Sequence, residues 1–322
     1  MSIILHDFSK EDWDIIRPQY SLGPYIGGSE ASSVAGCSSF TGAYTLMRRK
    51  LGEEEHPDIS GQLNVQRGHS FEPISLDEVE KTLGVKIFKP NYMLLNTEFE
   101  WAIADFDGVT ADGWIVEAKT TSSMNIIESA KQGEVTPHYM CQGDHYLTFT
   151  QFKGCPEPGE YFKGIIFAIM HHVHRPPILI HVPREDRITG MQVLMLAESK
   201  FIDMFNRGEL PDADGSESTT DSLKDKYDMG TKVVPPTPEQ LVLHGQYKEA
   251  SAVIKVQDQV KRKARNKLRE LMGSEIQKVL GVCSISTRES ISKKLLQEKV
   301  EAQGWHELIR DSTTNYETFR II

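Results

Sequence analysis

Apolar residues recur at helical spacing in some stretches of the chain and alternate with polar ones in others, so helices and strands are interleaved from end to end. The glycine turn in YIGGSEASSVAG predicts a short helix with Ser29 at or near its N-cap, and TGAYTLMRRKLGE predicts a second. A third helix begins near Val65, carries Ile74, Val79 and Leu83 as its apolar face, and stops at Gly84. Strands at about 85–89, 92–96, 101–110 and 113–120 follow as a meander. PHYMCQGDHYLTFT reads as a helix opened by Pro137, and YFKGIIFAIM and PPILIHVP as two apolar strands. A helix over about 186–207 then closes the unit, with Met191, Leu194, Phe201, Ile202 and Phe205 as its stripe.

This order predicts an α/β (α+β) fold, a central mixed sheet flanked by helices. Three regions are expected: a core over 1–210, an acidic linker rich in Pro, Gly and Ser over 211–237, and a C-terminal extension over 238–322. The extension opens with a long amphipathic helix, continues through VCSISTRES and a helix near 292–303, and ends in the short strand YETFRII.

Composition narrows the class. The 322 residues are 39% hydrophobic and 25% charged, ordinary for a soluble globular protein. No apolar run approaches the roughly 18 residues of a spanning helix, and a cytoplasmic location is expected, the host's if the chain is phage-encoded. Cys37, Cys141, Cys155 and Cys283 are scattered without a C-x-x-C pair, which signals neither a zinc ribbon nor a disulfide framework. A net charge of −10 argues against a protein that is basic overall, but leaves room for a local basic track. HHVH at 171–174 lacks companion ligands at sensible spacing and reads as a strand end.

The chemistry concentrates in ADFDGVTADGWIVEAKTT. Side chains alternate along a strand, so Glu117 and Lys119 point the same way, and a short turn at 111–113 sets Asp107 beside Glu117. Charges so placed are costly to bury unless a cation or polyanion compensates them. Oxygen ligands without His or Cys suit magnesium or manganese, and carboxylates sharing such ions can clamp a phosphodiester and activate water. An edge hairpin with a surface Glu–Lys pair and an Asp in its turn would leave the same letters.

Four blocks, IGGSEASSVAG, RGHSFEP, IADFDGVT with GWIVEAKTT, and PHYMCQGDHYL, resemble in order and spacing the YqaJ-like viral recombinase nucleases. That group includes lambda exonuclease, within the PD-(D/E)xK nuclease superfamily. The resemblance implies a restriction-endonuclease-like fold and a magnesium-dependent (or manganese-dependent) exonuclease using two ions. Such an enzyme digests linear double-stranded DNA from 5′ to 3′ and leaves 3′ single-stranded tails for a single-strand annealing protein. It implies Glu72, Asp107 and Glu117 as metal ligands with the backbone carbonyl of Ala118, Lys119 as the residue that orients or deprotonates water, Gln142 close to the reaction, and Ser29 near a phosphate. It also implies a homo-oligomer, a ring-shaped trimer. Ser29 reads equally well as an ordinary N-cap.

Two positions depart from the family pattern. Asp144 stands where a second glutamine is usual, and SLGPYIGG lacks the arginine that holds a terminal 5′-phosphate, leaving Arg17, Arg48 or Arg49 as substitutes. Farther on, Lys255, Lys261, Arg262, Lys263, Arg265, Lys267 and Arg269 face a single acid, Asp258, within 255–269. That run reads either as a track for the DNA backbone or as a solvated basic face. Residues 209–228 carry seven acids against two lysines and read as a solvated loop.

Overall fold

The computed structural model describes residues 2–7, 20–89, 92–151, 161–171, 176–227, 233–279, 283–291 and 313–321. Arg17, Cys155, His172, His174 and the helix expected over 292–303 lie outside them. The chain separates into two compact units, Met1–Met229 and Gly230–Ile322.

The first unit is mixed α/β, and its described strands form two sheets rather than the single central sheet expected. One runs in the order β1 (Ser2–Asp7), β4 (Tyr92–Asn96), β5 (Ala102–Ala104), β2 (Ile26–Gly27), and its β2–β5 pair is parallel. The other runs β3 (Ile87–Phe88), β6 (Gly108–Thr110), β7 (Trp114–Thr120), β8 (Gly164–Met170), β9 (Ile178–Pro183). Here β7 and β8 are parallel and the remaining neighbours antiparallel. The stretch 101–110, expected as one strand of a meander, breaks at Asp105–Asp107, so β5 joins one sheet and β6 the other. Its apolar pattern looks continuous because both pieces are buried.

The described helices of this unit are α1 (Gly28–Val34), α2 (Ala43–Lys50), α3 (Leu63–Leu83), α4 (Met124–Lys131), α5 (Pro137–Leu147), α6 (Ile188–Arg207) and α7 (Glu217–Lys226). Local signals set their ends. Gly84 takes φ 65° at the end of α3, a left-handed conformation that glycine adopts without strain, and Pro137 occupies the first turn of α5. The inner face of α3 differs from expectation: Leu76 and Val79 pack on Val116, Ile166 and Ala168, whereas Ile74 is 40% exposed. On the opposite face of that sheet Ile115, Ile165, Phe167 and Ile169 form the main core with Phe106, Tyr146, Leu147, Phe149 and Phe162. Gly143 lets α5 lie close on this face, since a Cβ there would come within 2.8 Å of the Phe167 ring.

The acidic segment expected as a linker is partly built into the first unit. Its helix α7 docks on α2: Arg48 donates to the Ser222 carbonyl at 2.7 Å and hydroxyl at 2.9 Å, and the Gly42 N–H donates to Ser218 Oγ at 2.8 Å. Ser216 caps α7 by accepting from the Thr219 N–H at 3.1 Å. Its acids Glu217, Asp221 and Asp225 recur every four residues and share one face, while the buried positions are the polar Thr219 and Ser222, so no apolar stripe reveals the docked face.

In the second unit α8 (Pro238–Met272) starts with a capping box formed by Thr237 and Gln240. Strands β10 (Lys278–Val279), β11 (Cys283–Ile291) and β12 (Thr313–Ile321) form an antiparallel sheet, with Cys283 opposite Ile321 and Ile291 opposite Thr313.

Candidate active site

A turn with Gly113 at φ 90° joins β6 to β7 and sets Gly108 opposite Val116. Asp107, just before β6, therefore lies level with the middle of β7, and its Oδ2 accepts the Ala118 N–H at 2.7 Å. Alternation along β7 puts Ile115, Glu117 and Lys119 on the face toward α5. Lys119 Nζ donates to Glu117 Oε1 at 2.7 Å, and Gln142 Nε2, from α5, donates to the same oxygen at 2.8 Å. The other amide hydrogen of Gln142 goes to the Tyr146 hydroxyl at 3.0 Å, which itself donates to the Asp105 carbonyl at 2.9 Å. These bonds converge on one side of Glu117. Its other oxygen, Oε2, is buried and accepts no hydrogen bond among the described residues.

The electrostatics follow from this enclosure. Burial pushes the Asp107 carboxyl well above the usual carboxylate range, and Glu117 pushes it in the same direction. Glu117 is also raised, chiefly by burial, against the pull of Lys119 and Gln142. Lys119 goes up despite burial, because Glu117 and Asp107 favour its charged form; its ammonium also sits 5.3 Å from the centre of the Tyr139 ring. Two buried acids that both resist ionisation, one with an oxygen left over, match what a hard divalent cation compensates. The residues fit such an ion.

Glu72 is not brought into this pair. It lies on α3, and its carboxylate meets Lys89 Nζ, although its charge reaches Asp107 and Glu117 and raises both. No three His, Cys, Asp or Glu side chains among the described residues are gathered closely enough to enclose an ion. The Ala118 N–H is engaged by Asp107.

Ser29 is exposed in the first turn of α1, where Gly27 is the N-cap and its N–H donates to Glu30 Oε2 at 3.0 Å. Gly28 packs against α5, so a Cβ there would lie 2.4 Å from Tyr146 and 3.1 Å from Gln142. The start of α1 is thereby brought to the helix that holds Glu117. Arg48 and Arg49, expected to substitute for a phosphate-binding arginine, turn instead into an internal network. Arg48 is 4% exposed and pairs with Glu54 at 3.0 Å besides its bonds to Ser222, and Arg49 donates to Glu54 Oε1 at 3.1 Å. A buried guanidinium, bonded through both terminal nitrogens, holds α7 to α2, which corrects the expectation for Arg48. Lys261, Arg262 and Arg265 are exposed on α8 in the second unit.

Several site neighbours carry no short-range signal. Asp144, the departure from the family glutamine, forms a fork with Arg187, at 2.7 Å to Nε and 2.6 Å to a terminal nitrogen. Tyr146, four residues after Gln142 on the same helix face, was identifiable in principle from that spacing. Lys89 had no such signal.

Residues 12–153 match the model of the YqaJ-like viral recombinase domain. No curated protein matches the chain in sequence. Among solved structures, the alkaline exonuclease LHK-Exo of Laribacter hongkongensis is similar at 16% identity and a TM-score of 0.47, covering 67% of this chain and 97% of that one. The same figures hold for that protein in complex with dAMP. Glu72, Asp107, Glu117, Lys119 and Gln142 all fall inside the matched range, over which this chain is similar to the YqaJ-like viral recombinase domain.

Proposed function

We propose that the protein is a metal-dependent deoxyribonuclease, an exonuclease that digests linear double-stranded DNA from 5′ to 3′ and leaves 3′ tails for a single-strand annealing partner. The observation that carries this reading is the buried Asp107–Glu117 pair, with Glu117 Oε2 left without a donor among the described residues while Lys119 and Gln142 hold the other oxygen. Asp107, Glu117 and the Ala118 carbonyl would hold Mg2+ or Mn2+, two ions in all, with Glu72 added once it leaves Lys89. Such ions supply Lewis-acid polarisation of the scissile phosphate and acidify the attacking water.

The chain's own residues do the rest. Lys119 keeps its proton beside the acid pair, orients the water and neutralises charge that builds on the phosphate. Gln142 fixes the Glu117 carboxylate so that its free oxygen faces the site. Ser29 offers its hydroxyl to a phosphate of the substrate. Lys261, Arg262 and Arg265 supply backbone contacts to duplex DNA, which makes binding salt-dependent. Processive digestion would follow if the chain assembles as a homotrimer around the duplex.

The test compares the protein with Lys119→Ala and Asp107→Ala on end-labelled linear duplex and on covalently closed circles, with magnesium present. Loss of linear-duplex digestion in both variants, with circles untouched by the parent protein, is expected. Equal attack on circles would overturn the exonuclease reading, and undiminished cleavage by both variants would overturn the site.

A further inference from the structure

Cys37 and Cys141, 104 positions apart, meet in the fold with their Sγ atoms 3.0 Å apart, and both are free thiols. Cys37 sits in the turn that ends α1, where its N–H donates to the Ser32 carbonyl at 2.9 Å. Cys141 lies on α5, packed among Ala31 of α1 and Leu194 and Met195 of α6. Each is half-buried, within reach of a small solute. A disulfide has its sulfurs about 2.05 Å apart, so closing this pair requires an approach of roughly 1 Å.

We propose that Cys37 and Cys141 are an oxidisable pair that a low-molecular-weight disulfide closes into a crosslink between the α1 turn and α5. The inference is independent of the nuclease reading, although the crosslink would lie one residue from the amide that holds Glu117. The exchange balances in two displacements. The Cys37 sulfur attacks the reagent, its proton passing to solvent, and one reagent thiol leaves. The Cys141 sulfur then gives its proton to solvent, attacks Cys37 Sγ and expels the second reagent thiol. Two S–H bonds are lost, one internal S–S bond forms, and the reagent is reduced to two thiols. Burial pushes the Cys141 thiol up to about 12, which assigns it the second, resolving step and makes closure slow. A reducing cytosol keeps the pair open, and a shift toward oxidising conditions closes it.

The experiment treats the full-length protein with oxidised glutathione, blocks remaining thiols with an alkylating reagent, and maps peptides by mass. The expected result is a fall from the four alkylatable cysteines of the sequence to two, a linked Cys37–Cys141 peptide, and a rise in melting temperature that dithiothreitol reverses. Cys141→Ser should instead retain glutathione on Cys37, with no rise. Cys37 and Cys141 both still free after prolonged exposure, or each carrying its own glutathione in the parent protein, would overturn the proposal. The mapping is read on the unmodified sequence, so a folding defect in the variant does not affect it.

Discussion

Replacing Gln142 with methionine keeps the length and burial of the side chain while deleting the amide that donates to Glu117 at 2.8 Å and to Tyr146 at 3.0 Å. Tyr146 still donates to the Asp105 carbonyl, and Glu117 still receives Lys119. What disappears is the neutral bond to the Tyr146 hydroxyl and the bond to the Glu117 carboxylate, the latter worth about 1.5–3 kcal/mol, or roughly one to two powers of ten in an equilibrium. The amide is one of the groups that hold the Glu117 carboxyl down against burial, so its loss lets that carboxyl rise further. A cation must then displace a proton more often, and the carboxylate it meets is less well aimed. The magnesium concentration for half-maximal digestion of a labelled linear duplex should rise by about 10- to 100-fold, with a smaller fall in rate at saturating magnesium. A calorimetric manganese titration on the same variant reads the affinity without DNA. An unchanged metal dependence in a variant with native circular dichroism would refute the reasoning.

Three further outcomes are expected. Gly28→Ala drives a Cβ into the Tyr146 ring, so unfolding should be easier by about 1–3 kcal/mol in urea, with a shift in metal dependence in the same direction as Gln142→Met. Arg48→Met leaves Glu54 with Arg49 as its remaining cation and removes the anchor of α7; a cost of about 3 kcal/mol and earlier proteolysis within 211–227 are expected, and a cleavage pattern like the parent's would contradict this. His145 is buried with Nδ1 2.8 Å from Glu198 and Nε2 3.0 Å from the Ile103 carbonyl. Burial pushes His145 down, but Glu198 and that carbonyl outweigh it and leave its pKa raised. The ion pair therefore stabilises the fold fully below the ordinary histidine pKa and loses this contribution as pH rises through the raised value. Melting temperature measured from pH 5 to 9 should fall across that window in the parent protein and stay flatter in Glu198→Gln.

Much of this architecture can be read in the chain where a local rule decides. Gly84 stops α3, Pro137 opens α5, and alternation along β7 puts Glu117 and Lys119 on one face. The misreadings share a physical cause, which is dependence on partners distant in sequence. Asp105–Asp107 divides an apolar run between two sheets because β4 and β7 compete for its halves. The acidic stretch becomes helix α7 because Arg48, 174 positions before Ser222, offers its guanidinium. Ile74 sits at helical spacing for the core, yet the inner face is that of Leu76 and Val79, since the sheet beneath α3 decides which stripe is covered. The partner of Asp144 is 43 residues away, and the approach of Cys37 to Cys141 follows from how α1 lies on α5. Glu72 shows the same limit: the helix could be read, but Lys89 as its counterion could not.

Strand β7 is matched to β8 in parallel along its full length, Trp114 beside Gly164 through Thr120 beside Met170. A slip of one residue would rotate Glu117 and Lys119 onto Leu76 and Val79, setting bare ions against hydrocarbon, and would send Val116 toward the amide of Gln142. The buried acid and lysine thus also proofread the fold, because a one-residue slip of the two strands would leave them facing hydrocarbon.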